Sequence, residues 1–203
     1  IGPALAERAE ALAAPLRGQL DLSTEQRLAA MRGFAARFRG DAAACLASFE
    51  DALRACEPTH NVRELAFTCL SLAGSYHELG ADELALPLLR RGLAAAERIG
   101  AHTVEPLLRF SLAQSELELG RIDDARATAR DALARYTDRD PVATGLGHWL
   151  LARAAIAEGA LDEAARELAP IAGLLTPFSD WHSVVLATRA LLHARLGAHD
   201  AAR

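Results

Sequence analysis

Lysine is absent from this sequence, and all 22 basic residues among its 203 are arginine. Its absence excludes every mechanism that requires a lysine amine, including Schiff-base chemistry and phosphate binding by a Walker loop. β-Branched residues are also scarce, because Ile, Val and Thr supply only 19 positions against 46 Ala and 34 Leu. Since strands favour β-branched side chains and helices favour Ala and Leu, we predict an all-α chain.

Uncompensated positive charge and long apolar runs are missing too. The formal net charge is −5, which argues against nucleic acid or an anionic membrane as a partner. No stretch of about 18 apolar residues occurs, so the sequence predicts no membrane-spanning helix. The sequence starts at Ile1 with no Met and no charged and then apolar leader, which suggests a piece of a longer chain. The cysteine content of the chain leads us to expect a cytoplasmic protein.

Only three cysteines are present, Cys45, Cys56 and Cys69, and no two of them have CxxC spacing. An odd number in a chain of this length is atypical of a disulfide framework, so we expect buried, reduced thiols. A zinc site at Cys56, His60 and Cys69 is disfavoured, because Pro58 interrupts the helical spacing and no fourth ligand is evident. We expect no metal and no other cofactor.

No group of residues has the pattern of a catalytic site, so we do not expect an enzyme. The seven histidines include no HExxH pattern, and no serine lies in a nucleophile elbow. Between Arg121 and Asp140, five arginines and five aspartates cancel. This stretch, which includes Arg126, therefore predicts a solvated and ion-paired helix face and not a nucleic-acid site.

Five glycines recur at intervals of 40, 40, 39 and 38 residues: Gly40, Gly80, Gly120, Gly159 and Gly197. Each ends one helical pattern and precedes another, so we predict that each takes the left-handed conformation that closes a helix and turns the chain. Such a period is the signature of a repeat architecture built from helix pairs.

Small residues accompany these glycines at fixed distances. One stands seven positions before each glycine and another five positions after it, where they would let two antiparallel helices approach closely: Gly33, Ala73, Ala113, Ala152 and Ala190 before, and Cys45, Ala85, Ala125, Ala164 and Ala202 after.

Helix ends are marked by capping residues and prolines. We predict N-caps at Ser23, Asn61 and Asp140, the first two with a capping-box partner three residues later. Pro170 falls late in a second helix and is expected to kink or shorten it, whereas Pro87 falls near a first turn, where its missing N–H costs little.

The motif of the second repeat resembles that of tetratricopeptide (TPR) repeats, at Leu72, Ala73, Tyr76, Leu79, Gly80 and Ala85. The usual TPR unit has about 34 residues, and the longer unit here is similar to the TPR arms of bacterial signalling proteins, such as LuxR-type activators and diguanylate cyclases. The resemblance implies a right-handed α-solenoid of helix-turn-helix repeats.

This resemblance covers residues 22–203, as repeats at about 22–59, 60–100, 101–139 and 140–178 and a truncated fifth at 179–203. Residues 1–21 precede it as a leading helix, which is either a cap or half of an earlier repeat. Its apolar residues fall on one face, so the helix is expected to be amphipathic: Leu5, Ala9, Leu12, Leu16 and Leu20.

Binding of a protein or peptide through the concave face is the function that the resemblance implies. The residues carried over to this face are mostly apolar, which favours an amphipathic helix over a peptide carboxylate as ligand: Arg27, Met31, Phe34, Arg37, Phe67, Leu70, His77, Phe110, Gln114, Trp149 and Arg153. The alternative is that a tightly curled superhelix buries these residues against one another.

Two further expectations concern assembly. The chain could instead be a sensor segment of a larger bacterial signalling protein, with a DNA-binding or nucleotide-cyclase output domain outside this sequence. A weak homodimer through the last repeat is also expected, because no following helix covers its apolar residues: Val184, Val185, Leu192 and Leu196.

Overall fold

The computed structural model describes residues 2–137, 140–173 and 182–197. In these residues every regular element is helical, as the composition predicts, and none of the helices is long and apolar enough to cross a bilayer. Ten α-helices are described: α1 Pro3–Ala13, α2 Leu22–Phe38, α3 Ala42–Cys56, α4 Val62–Glu78, α5 Asp82–Ile99, α6 Glu105–Glu118, α7 Ile122–Tyr136, α8 Pro141–Glu158, α9 Leu161–Leu168 and α10 His182–Arg195.

The chain divides into two compact units, with the division between Leu108 and Arg109. The first unit contains α1 to α5 and the first turn of α6, and the second contains the rest of α6 and α7 to α10. Consecutive helices pack as pairs, α2 with α3 and α4 with α5 in the first unit and α8 with α9 in the second. These pairs are the helix-turn-helix units that the sequence predicts.

The repeating glycines take the backbone conformation predicted for them. Gly40 N–H donates to Arg37 O and Asp41 N–H donates to Ala36 O, each at 3.0 Å, which satisfies two of the last carbonyls of α2. The φ angles all lie in the left-handed region: +72° at Gly40, +68° at Gly80, +71° at Gly120, +77° at Gly159 and +76° at Gly197.

The small residues that flank the glycines are buried as predicted, except for half-buried Ala190 and for Ala202, which lies outside the described residues. Gly33 shows why small size is required. A Cβ added there would lie 2.8 Å from the ring of Phe49, and Phe49 is fully buried. The approach of α2 to α3 therefore depends on the missing side chain.

Two of the three predicted N-caps are confirmed, since the side chain of Asn61 accepts a hydrogen bond from Glu64 N–H and that of Asp140 from Ala143 N–H. The prediction at Ser23 is wrong. Asp21 caps α2, and its carboxylate accepts from Thr24 N–H at 2.7 Å. The helix therefore begins at Leu22, two residues earlier than a cap at Ser23 would place it.

Of the two predictions made for prolines, one is correct and one is wrong. Pro170 shortens its helix as expected, because α9 ends at Leu168 and a 3-10 turn begins at Pro170. Pro87, however, is the sixth residue of α5 and not part of its first turn. Its missing N–H therefore removes one helical hydrogen bond, to the carbonyl of Glu83, although α5 continues to Ile99.

The leading helix packs through a face about a quarter of a turn from its leucine face. Ala6 and Ala13 are buried, whereas Leu5, Leu12 and Leu16 are 56%, 69% and 47% exposed. The alanine side contacts α2 because the residues of α2 and α3 that line this region are themselves mostly small or charged. The leucine face of α1 is therefore not the face that packs on α2.

The last described helix buries two of the four residues predicted to be exposed. Val185 and Leu192 are 6% and 4% exposed and belong to the core of the second unit, whereas Val184 and Leu196 are exposed. Thr188, on the same face as Val185 and Leu192, accepts a hydrogen bond from Trp149 Nε1 at 2.8 Å. Because α10 packs on α8 through this face, the predicted exposure of Val185 and Leu192 is wrong.

Candidate binding surface

The candidate surface in the first unit is the first-helix face, formed by the residues that the sequence predicts on α2 and α4: Arg27, Met31, Phe34, Arg37, Phe67, Leu70 and His77. The structure places these two helices side by side. Gln26 Nε2 donates to Thr68 Oγ1 at 3.1 Å, and Arg27 Nη2 lies 3.5 Å from Glu64 Oε1. Two cross-repeat polar contacts therefore fix one end of the surface.

Arg37 spans from α2 to α4 at the other end of the surface. Its Nη2 donates to the carbonyl of Ser71 at 3.3 Å and to Ser75 Oγ at 3.1 Å, and its Nε lies 3.1 Å from Glu78 Oε1. Gly74 lies next to this arm, and a Cβ there would make only an ordinary contact with Arg37 Nη2, at 3.5 Å. Arg37 therefore holds two repeats together by a fork of hydrogen bonds.

Aromatic rings hold the same guanidinium from the α2–α3 side. The carbon of the Arg37 guanidinium lies 5.9 Å from the ring centre of Phe34 and 5.4 Å from that of Phe49. The two rings meet edge to face at 5.1 Å. Phe34 is thus half-buried and packs against the core, and its role in this conformation is to position Arg37.

His77, near the end of α4, contacts the start of α5. Its Nδ1 lies 2.8 Å from Asp82 Oδ1, and the Asp82 side chain, at the start of α5, is only 5% exposed. The predicted groove histidine therefore bonds within its own repeat.

The apolar members of the first-helix face remain open to solvent to different degrees. Phe67 is 39% exposed, and Met31 and Leu70 are half-buried. Phe67 and Leu70 are three residues apart on α4 and share one side of the helix. They form the part of the face that is not engaged in polar contacts between repeats.

The second unit places its predicted residues differently. Phe110 and Trp149 are each 4% exposed and belong to the core, and Gln114 is half-buried. The guanidinium of Arg153 lies 5.1 Å from the centre of the Trp149 ring, and its Nη2 donates to Glu118 at 2.6 Å. Phe110 and Trp149 are thus packing residues, as the alternative of buried groove residues expects.

A buried arginine is the feature that sequence reasoning missed. Arg126 is 7% exposed and lies 2.5 Å from Glu158 and 2.6 Å from Glu163, so its prediction as part of a solvated face is wrong. Bonding to Arg126 lowers the pKa of Glu163. An alignment of the repeats could have drawn attention to this position, because the other repeats have an apolar residue six positions after the glycine, at Leu46, Leu86 and Ala165.

All three cysteines are buried and free, as predicted. Burial raises the pKa of Cys69 to about 11, so its thiol is a poor nucleophile and a poor metal ligand at neutral pH. Within the described ranges, no group of three or more His, Cys, Asp or Glu is placed to hold a metal ion.

Neither the protein-family models nor the curated proteins compared with this chain give a match. Several solved structures do match this chain. The apo form of RapI matches with a TM-score of 0.72 and 12% identity over 97% of this chain and 55% of RapI, so the chain spans about half the length of RapI.

Two further structures match over most of their length. PilW, a widely conserved type IV pilus biogenesis factor, has a TM-score of 0.65 and 15% identity over 98% of this chain and 89% of PilW. MamA has a TM-score of 0.58 and 16% identity over 89% of this chain and 87% of MamA. All three are TPR proteins, and at these identities the likeness concerns the fold. The chain therefore has the fold of a TPR-like helical-repeat protein.

Proposed function

We propose that this chain is a non-catalytic scaffold that binds a protein or peptide through the first-helix face of its first unit. The observation that carries the proposal is the 39% exposure of Phe67 in the middle of a face whose charged residues bond within the chain. A half-exposed phenylalanine held on a rigid helix is the kind of anchor that dominates binding energy in protein interfaces.

The polar residues at the ends of the face determine what kind of ligand fits. Arg27 lies near Glu64, and Arg37 bonds to α4 at three groups. Because these charges have partners, a peptide carboxylate would have to displace a bond already formed. The apolar strip of Phe67, Leu70 and Met31 has no such competitor, so the ligand we propose is an amphipathic helix that presents its apolar side.

A selection from displayed peptides on the immobilised full chain tests this function. We expect enriched sequences with apolar residues at helical spacing, and we expect them to lose binding to Phe67→Ser by at least about tenfold, which corresponds to roughly 1.4 kcal/mol. Binding is measured by fluorescence anisotropy after circular dichroism confirms that the variant is folded.

Leu84→Ser is the matched control, because Leu84 is a 55% exposed apolar residue of α5, a second helix that does not contribute to the first-helix face. Selected peptides should bind this variant as they bind the wild type. Peptides that bind Phe67→Ser unchanged, or a selection that enriches no sequence at all, would contradict the proposed surface.

A further inference from the structure

Two cavities lie beside α1, where it rests on α2 and α3. One has a volume of about 230 Å³ and is lined by Ala13, Leu28 and Ala29, among others. The other has about 370 Å³ and is lined by Ala6, Ala35 and Ala44, among others. Each is partly open to solvent and has room for a larger apolar side chain than alanine. The surface beneath α1 is therefore larger than the helix that covers it.

The covering helix contributes only small side chains to this contact. Ala6 and Ala13, seven residues apart, are its buried residues, while its leucines at 5, 12 and 16 face outward. An alanine face that leaves two cavities gives up the dispersion contacts that a larger side chain would make there.

The charged contact between α1 and the surface beneath it is made by Glu10. Glu10 lies between the two alanines in the sequence, and its Oε1 is 2.6 Å from Arg32 Nη1, while its Oε2 is 2.6 Å from Arg17 of its own segment. Arg39 also lines the larger cavity, and no other described side chain bonds to it. Outside α1, the larger cavity is lined by two arginines and no carboxylate, whereas Glu25 and Asp51 also line the smaller one. Of the two arginines of the larger cavity, α1 engages only Arg32.

We propose that the surface beneath α1 is a second docking site, for an acidic amphipathic helix of a partner protein, and that α1 is its exchangeable internal occupant. The α1 groove, as we name it, is lined by Leu28, Ala29, Arg32, Ala35, Arg39 and Ala44. The partner helix carries larger apolar residues at the positions of Ala6 and Ala13 and a carboxylate between them that bonds to Arg32. A second carboxylate can reach Arg39.

This site is separate from the first-helix face. At 100° per residue, Arg32, Ala35 and Arg39 lie about a third of a turn around α2 from Met31 and Phe34. A substitution at one site is therefore expected to leave ligand binding at the other site unchanged. Phe67→Ser is expected to leave the α1 groove unaffected.

The probe for the test is a labelled peptide with the sequence of residues 2–20 and the changes Ala6→Leu and Ala13→Leu. We expect it to bind the full chain at least about tenfold more tightly than the unchanged peptide, because its leucines fill the two cavities. Bound peptide should also speed hydrogen exchange at the backbone amides of residues 5–13, since α1 loses its place. A scrambled peptide of equal composition is the control for non-specific hydrophobic binding.

A third peptide, with Glu10→Gln added, tests the carboxylate and should bind more weakly than the leucine peptide. The same two leucines placed in the chain itself should raise its Tm and block the peptide, because the internal helix then fills the groove. Leucine-peptide binding no tighter than that of the unchanged or scrambled peptide would overturn the proposal. Tight binding of the leucine peptide without faster hydrogen exchange in α1 would also overturn it. A lower Tm of the chain that carries Ala6→Leu and Ala13→Leu would do the same.

Discussion

At the scale of single residues, Gly33 is a position in the first unit where no side chain fits. We expect Gly33→Ala to lower the free energy of unfolding by about 1–3 kcal/mol, because its methyl group would lie 2.8 Å from the buried ring of Phe49. Urea denaturation measures the change. Gly74→Ala is the matched control: its methyl would contact only Arg37, at 3.5 Å, and alanine should stabilise the helix by up to about 1 kcal/mol. Equal effects of the two substitutions would contradict this account.

A second residue-scale prediction concerns pH and the buried Arg126. Its bond lowers the pKa of Glu163 below the ordinary value of 4.5. A lowered folded-state pKa contributes stability that is complete above the ordinary value and is lost as pH falls through the folded value. We therefore expect Glu163→Gln to have a lower Tm than the wild type at pH 7, and the difference to shrink below pH 4.5.

The control for this pH dependence is Asp162→Asn. Asp162 is exposed in the same first turn of α9, so it shares the helix dipole with Glu163 but not the contact with Arg126. Its effect on Tm should be smaller at pH 7. A Tm difference for Glu163→Gln that stays constant between pH 7 and pH 3 would show that the ion pair is not its cause.

At the scale of helices, the caps give a direct comparison of a correct and an incorrect sequence prediction. We expect Asn61→Ala to cost about 1 kcal/mol of stability, because Asn61 accepts from Glu64 N–H at the start of α4. Ser23→Ala should cost much less, since the cap of α2 is Asp21. Both changes are measured by urea denaturation. A larger loss at Ser23 than at Asn61 would place the start of α2 where the sequence pattern placed it.

The helices themselves were predictable because periodic glycines and buried alanines report on backbone geometry, and that geometry is local. The contacts between helices were not predictable in the same way. Amphipathicity shows that α1 has a leucine face, but only the structure shows that Ala6 and Ala13 face α2. The buried Arg126 was missed for a similar reason, because its partners Glu158 and Glu163 are more than 30 residues away. The residues of the first-helix face were assigned from the repeat register, while the burial of Phe110 and Trp149 depends on tertiary packing.

At the scale of the whole molecule, the natural probes are divided between the units. All three cysteines lie in the first unit and both tryptophans in the second. Because α6 is one continuous helix across the division, we expect both units to unfold together. Thiol labelling and tryptophan fluorescence should then give the same urea midpoint, and Gly33→Ala should shift both. Two separate midpoints would show that the units unfold independently.

Self-association is the other prediction for the whole molecule. With Val185 and Leu192 in the core, the apolar residues that α10 leaves open are Val184, Leu186, Leu191 and Leu196. We expect weak dimerisation, and we expect Leu191→Glu to reduce it. Sedimentation at increasing concentration measures the equilibrium. A wild-type chain that remains a monomer at millimolar concentration would contradict this prediction.

The left-handed glycines also bear on how such a chain can change in evolution. Gly40 and Gly80 have φ angles within a few degrees of each other, and each is followed five residues later by a small buried residue, Cys45 or Ala85. A recombination event that joins Gly40 to Ala81 would delete one repeat and keep the turn, and the reciprocal event would duplicate it. Each glycine is thus a seam at which whole repeats can be gained or lost while the local backbone conformation is preserved.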